Sequence, residues 1–117
     1  MTYFPPDRTP ITGNGQGRVD SSDVTTAVAI VGAEAVVGQK YYITSLILSV
    51  AVAGEYWIED EDAVQITGKF SLAAKGGVSW ACPIDTPIVS PTANKGLKIK
   101  SSIAGVVSCT LTFYTAA

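Results

Sequence analysis

Histidine is absent from all 117 residues of the chain. Its absence removes Ser-His-Asp and Cys-His nucleophile systems and every histidine-bearing zinc site. Cysteine is scarce: Cys82 and Cys109 are the two, and their spacing forms neither C-x-x-C nor a zinc pattern. Cys82 falls on the apolar side of an alternating run with Val78 and Trp80, and Cys109 does so with Val107, Leu111 and Phe113. Both are therefore expected as buried free thiols rather than as a disulfide. Charged residues make up only 15% of the chain, the net charge is −2, and the eight Lys and Arg form no basic stripe. The electrostatic footprint of a nucleic-acid binder is missing. No apolar run exceeds five residues, far short of the ~20 that a membrane-spanning helix needs. Residues Met1 to Pro10 have neither a basic n-region nor an apolar h-region, so no secretory leader is expected.

Against these absences stands a hydrophobic content of 47% and a mean hydropathy of +0.30. A chain of this length buries roughly 65% of its extended surface as one domain. Surplus hydrophobicity without a membrane segment points to burial against partner subunits.

Two zones differ in composition. Residues 1–20 hold three of the six prolines and three of the eleven glycines. Proline fixes φ and removes donors while glycine frees the backbone, so this zone reads as an extended N-terminal arm, flexible around Gly13 to Gly17. Tyr3, Phe4, Arg8, Ile11 and Arg18 are its candidate partner-binding residues.

Residues 21–117 read as one β domain. Val24, Thr26, Val28 and Ile30 alternate with smaller residues. Leu46, Leu48, Val50 and Val52 oppose Ser45, Ile47, Ser49 and Ala51. Val64, Ile66, Phe70 and Leu72 oppose Gln65, Thr67, Lys69 and Ser71. Leu97, Ile99 and Ile103 oppose Lys98, Lys100 and Ser102, and the run from Val107 to Tyr114 alternates likewise. Period-two alternation rich in Val, Ile, Thr and aromatics is the half-buried strand signature. Shorter runs at 56–59, 78–82 and 87–89 bring the total to about eight strands. Glycine-bearing turns such as Lys75-Gly76-Gly77 and Asn94-Lys95-Gly96 punctuate them, each supplying a glycine where φ > 0 is wanted. Only "VGAEAVVG" (Val31 to Gly38) offers a helical turn or two. The pattern predicts an all-β, antiparallel, jelly-roll-like sandwich. Ser45, Ser49 and Ala51 form a neutral, small-residue face of the kind that suits packing against a copy of itself.

Candidate chemistry is thin. Glu59, Asp60, Glu61 and Asp62 hold four of the ten carboxylates in one run. The calcium-loop pattern is absent, and adjacent acids at a hairpin tip share one solvated environment. The run is expected to be a wet turn, with weak calcium binding as the alternative. "GNGQG" (Gly13 to Gly17) lacks the Lys-Ser/Thr of a phosphate loop. Trp57, Trp80, Tyr41, Tyr42, Tyr56 and Tyr114 could build a sugar platform, but core or interface packing is the better reading. No catalytic residue, cofactor or metal is expected.

The runs "ITGKFSLAAKGG" (Ile66 to Gly77) and "TANKGLKIKSSIAGVVS" (Thr92 to Ser108) anchor a resemblance covering about Lys40 to Tyr114. The chain resembles small jelly-roll virion structural proteins of tailed bacteriophages, the capsid decoration or cement proteins. Related modules recur in phage fibres. The resemblance implies a non-enzymatic, self-associating domain, typically a trimer, made in the host cytoplasm. It would bind the major capsid protein on the outer surface of the assembled head. A fibre or baseplate module for host recognition and a carbohydrate-binding sandwich are the alternatives. Deletion of residues 1–20 is expected to spare the fold, because the strands are expected to begin after it.

Overall fold

In the computed structural model, residues 13–82 and 86–117 are described, and among them there is no helix. Nine strands form: β1 (Gly13–Asp23), β2 (Val28–Ala29), β3 (Lys40–Val50), β4 (Gly54–Asp60), β5 (Phe70–Leu72), β6 (Gly77–Ala81), β7 (Ile88–Val89), β8 (Leu97–Ser101) and β9 (Val106–Ala116). They pair antiparallel into two sheets. One has the order β1-β9-β3-β6, with β7 also pairing β3, and the other has the order β2-β8-β4-β5. With the two-residue β7 set aside, successive strands cross from sheet to sheet except at the β4–β5 hairpin. That is the two-Greek-key wiring of a jelly roll. The all-β antiparallel sandwich predicted from alternation is therefore the fold.

The core lies between the sheets. Leu46, Leu48, Cys109 and Leu111 come from the five-stranded sheet, and Tyr56, Ile58, Leu97 and Ile99 from the four-stranded one. Strand β3 shows how the phase is kept. Tyr41 and Ile43 point inward at odd positions, but Leu46, Leu48 and Val50 point inward at even ones. A bulge between Ile43 and Ser45 inserts the extra residue that reconciles the two runs.

The composition extends the expected arm to residue 20, yet Gly13 to Asp20 belong to β1, and Gly13 to Val19 pair along β9 from Thr115 to Cys109. Gly15 and Gly17 serve close packing there: a Cβ on Gly17 would lie 2.7 Å from Ile30 Cγ2. A 1–20 deletion would thus remove most of an edge strand, including buried Val19. The run 63–72 yields a strand only at Phe70–Leu72. Before it, the chain turns at Ala63 (φ 64°) and folds back on β4, with Ile66 N donating to Ile58 O at 2.9 Å, which leaves Val64 exposed. "VGAEAVVG" forms no helix. In the two glycine turns the left-handed residues are Lys75 (φ 59°) and Asn94 (φ 66°) rather than the glycines. Gly77 is needed for space instead, since a Cβ there would sit 2.4 Å from Leu48 O.

Candidate interaction surfaces

The two sheets turn very different faces outward. On the five-stranded sheet the register aligns Arg18, Thr110, Ile47 and Ser79 in one row. The flanking rows hold Gln16, Thr112, Ser45 and Ala81 on one side, and Ser108, Ser49 and Gly77 on the other. Ile47, at the middle of this field, is 59% exposed. The hydroxyls satisfy one another: Thr112 Oγ1 lies 2.8 Å from Thr44 Oγ1 and 2.5 Å from Ser45 Oγ. Among the described residues, charge on this face lies at its margins, at Arg18 and Asp20 on β1 and at Lys40 where β3 begins. Toward the end of the sheet, Tyr42 stacks on Tyr114 with centroids 4.9 Å apart. The small neutral face read from Ser45 and Ser49 is thus continued by β6 and β9.

Arg18, the one candidate arm residue among those described, is exposed beside this field, while its backbone exchanges hydrogen bonds with Val31. Tyr3, Phe4, Arg8 and Ile11 lie outside the described residues. Val31, Val36 and Val37, in the segment between β2 and β3, are further exposed apolar residues.

The four-stranded sheet covers its own outer face. Trp57 sits there, only 9% exposed, with Lys69 Nζ 4.6 Å and Lys100 Nζ 5.7 Å from its ring centroid. Its indole Nε1 donates to Glu59 Oε1 at 3.0 Å, and Lys98 stands opposite Glu59 across the ladder. Trp57 is therefore spent inside a cation–π and hydrogen-bond cluster rather than offered to a sugar.

The acidic run is not the uniformly wet tip expected from its composition. Glu59 and Asp60 are the last residues of β4 and are buried, whereas Glu61 and Asp62 are exposed. Asp60 Oδ1 accepts from the amides of Asp62 (2.8 Å) and Val64 (3.0 Å), closing the turn, while its Oδ2 is buried without a hydrogen-bond partner. Glu61 Oε1 accepts from Gly96 N at 2.5 Å, and Asp62 pairs with Lys95 at 2.9 Å. That hydrogen bond to Asp62 raises the Lys95 pKa first, with the charges of Asp62, Glu61 and Asp60 adding to it. The four carboxylates thus turn to different partners rather than converge: Glu59 to the Trp57 indole, Asp60 to two turn amides, Glu61 to the Gly96 amide and Asp62 to Lys95. Among the described residues no group of three or more acidic or thiol side chains is arranged to hold a metal ion.

Both thiols are free. Burial pushes Cys109 up to about 12, which makes it inert at neutral pH, and Cys82 is half-buried.

No protein-family model matches the chain, and no curated protein matches it. Among solved structures, the chain is similar to the cryo-EM structure of the virus-like particle of the extra small virus of the giant freshwater prawn Macrobrachium rosenbergii. Identity is 14% and the TM-score 0.37, with 97% of this chain and 88% of that chain covered. Similarity at that score is loose and assigns no function.

Proposed function

We propose that the chain is a non-enzymatic virion structural protein that self-associates, as a trimer, and decorates the outer surface of an assembled phage head. The observation that carries this reading is the outer face of the five-stranded sheet, uncharged across its middle, lined by small hydroxyl residues and centred on exposed Ile47. A sheet face meant for water usually carries Lys and Glu, as the other sheet of this molecule does. A face without them suits a protein partner. The sequence resemblance to capsid decoration proteins supplies the kind of partner, the major capsid protein. In this reading Arg18 on β1 contacts the partner, together with Tyr3, Phe4, Arg8 and Ile11. Binding only the assembled lattice would stabilise it by mass action, and a trimer would multiply weak contacts through avidity.

The test mixes purified protein with undecorated heads and sediments them. Saturable co-sedimentation, with protection of the heads against heat, is expected. Absence from the head pellet together with binding to host cells would replace this reading with a fibre or baseplate module. Light scattering should show three times the 12.2 kDa chain mass, and a monomer at micromolar concentration would remove the trimer.

A further inference from the structure

Sheet edges are usually blunted by charge, proline, shortness or cover, because unpaired N–H and C=O groups recruit other strands. Three of the four edges here obey that rule. On β1, Arg18 N donates to Val31 O at 3.0 Å and Val31 N to Arg18 O at 2.9 Å, which covers the strand midway. Strands β2 and β5 are two and three residues long. Strand β6 is the exception.

Its hydrogen-bond phase follows from the two ends of its ladder. Val50 N donates to Gly76 O at 3.0 Å, and Cys82 N to Thr44 O at 2.8 Å. In the antiparallel register between them, Val78 and Trp80 exchange bonds with β3, so the N–H and C=O of Gly77, Ser79 and Ala81 point away from the sheet. Among the described residues nothing pairs with them. Their side chains are small, uncharged and exposed, with no proline and no bulge in the strand.

The geometry points to β6 as a strand-pairing seam whose occupant is the β6 of a second copy, antiparallel about a two-fold axis at Ser79. That axis sets Ser79 opposite Ser79 of the second copy and Gly77 opposite its Ala81. Every outward N–H and C=O of the three residues then finds its complement. On the inner side it sets Trp80 directly against Val78 of the other copy. Both residues are only partly buried, at the margin of the core. An aromatic facing a β-branched residue across a non-hydrogen-bonded pair is a favourable cross-strand contact. The seam therefore covers apolar surface as well as backbone. Residues 1–12 are a poor alternative occupant, because Pro5, Pro6 and Pro10 interrupt their run of donors. The contact is two-fold, so it closes no trimer. It joins copies in pairs, and it stands whether or not the decoration reading holds.

Hydrogen exchange over residues 77–81, followed against protein concentration, tests it. In the wild-type chain these amides should slow as concentration rises from micromolar to millimolar. Ser79→Pro removes an amide that bonds nothing in the single chain, so the fold should persist by circular dichroism while pairing weakens by about tenfold or more. Ser79→Asp and Ser79→Lys should each exchange fast alone, and slow when mixed. Fast exchange of the wild type at every concentration would overturn the seam, as would wild-type protection in a folded Ser79→Pro. Protection that arises only on adding heads would overturn self-pairing in favour of a capsid strand.

Discussion

The two outward faces of this sandwich are built from the same alternation and yet end in opposite states. On the four-stranded sheet, Trp57 lies beneath Lys69 and Lys100, and Glu59 takes its indole proton, so the face is finished within one chain. On the five-stranded sheet, Ile47 stands in a field of serines and threonines and keeps 59% of its surface exposed. The difference teaches where to look for a partner. Charge on an outer face here is a lid over an aromatic, and its absence leaves the apolar residue open.

Breaking the finished face should cost the most. Trp57→Ala removes a nearly buried indole and should lower unfolding free energy by about 3–5 kcal/mol in denaturant titration. Trp57→Phe, which keeps a ring but loses the bond to Glu59, should cost about 1–2 kcal/mol. The end of the same strand comes next. Asp60→Ala strips the acceptor from the Asp62 and Val64 amides and should cost about 2–3 kcal/mol. In a thermal melt that is a fall of roughly 10 °C.

The layer both sheets share should respond to alkali. Burial raises Cys109 from 9.0 to about 12, and burial, aided by the charges of Glu34 and Glu61, raises Tyr41 from 10.0 to about 12. The folded state holds these protons more tightly than the unfolded one. Their contribution is therefore complete below pH 9 and declines as pH rises toward 12. Melts should move down over that window, with tyrosinate absorbance rising later than for free tyrosine. At the acid end, hydrogen bonds from the amide and then the hydroxyl of Thr25 depress Asp23, so its small contribution fades as pH falls below the usual carboxylate range.

The open face should be the least sensitive in stability. Ile47→Lys, at an exposed position, should change unfolding free energy by no more than about 0.5 kcal/mol.

Much of this fold was legible from period-two alternation. Leu46, Leu48 and Val50 point inward as read, as do Ile99, Cys109 and Leu111, because a half-buried strand must alternate. The small neutral face was legible too, as the other half of the same pattern. Strand β1 was not: its glycines read as flexibility, whereas Gly17 marks close packing against Ile30. Nor was Asp60. Composition shows four acids in a row, but not that the amides of Asp62 and Val64 need a carboxylate to close their turn. The bulge before Ser45 was equally hidden, since either phase of β3 looks amphipathic by itself. These features depend on what a residue meets across the fold, and period and propensity carry no record of that.

The proposed capsid contact puts the exposed five-stranded face against the assembled head. Co-sedimentation of wild type and Ile47→Lys with undecorated heads tests it most directly, at matched concentrations and with both proteins shown to melt together. Saturable binding by the wild type and at least a tenfold loss for Ile47→Lys are expected, since a charge would then be buried in an apolar contact. Equal binding by the two proteins would contradict it.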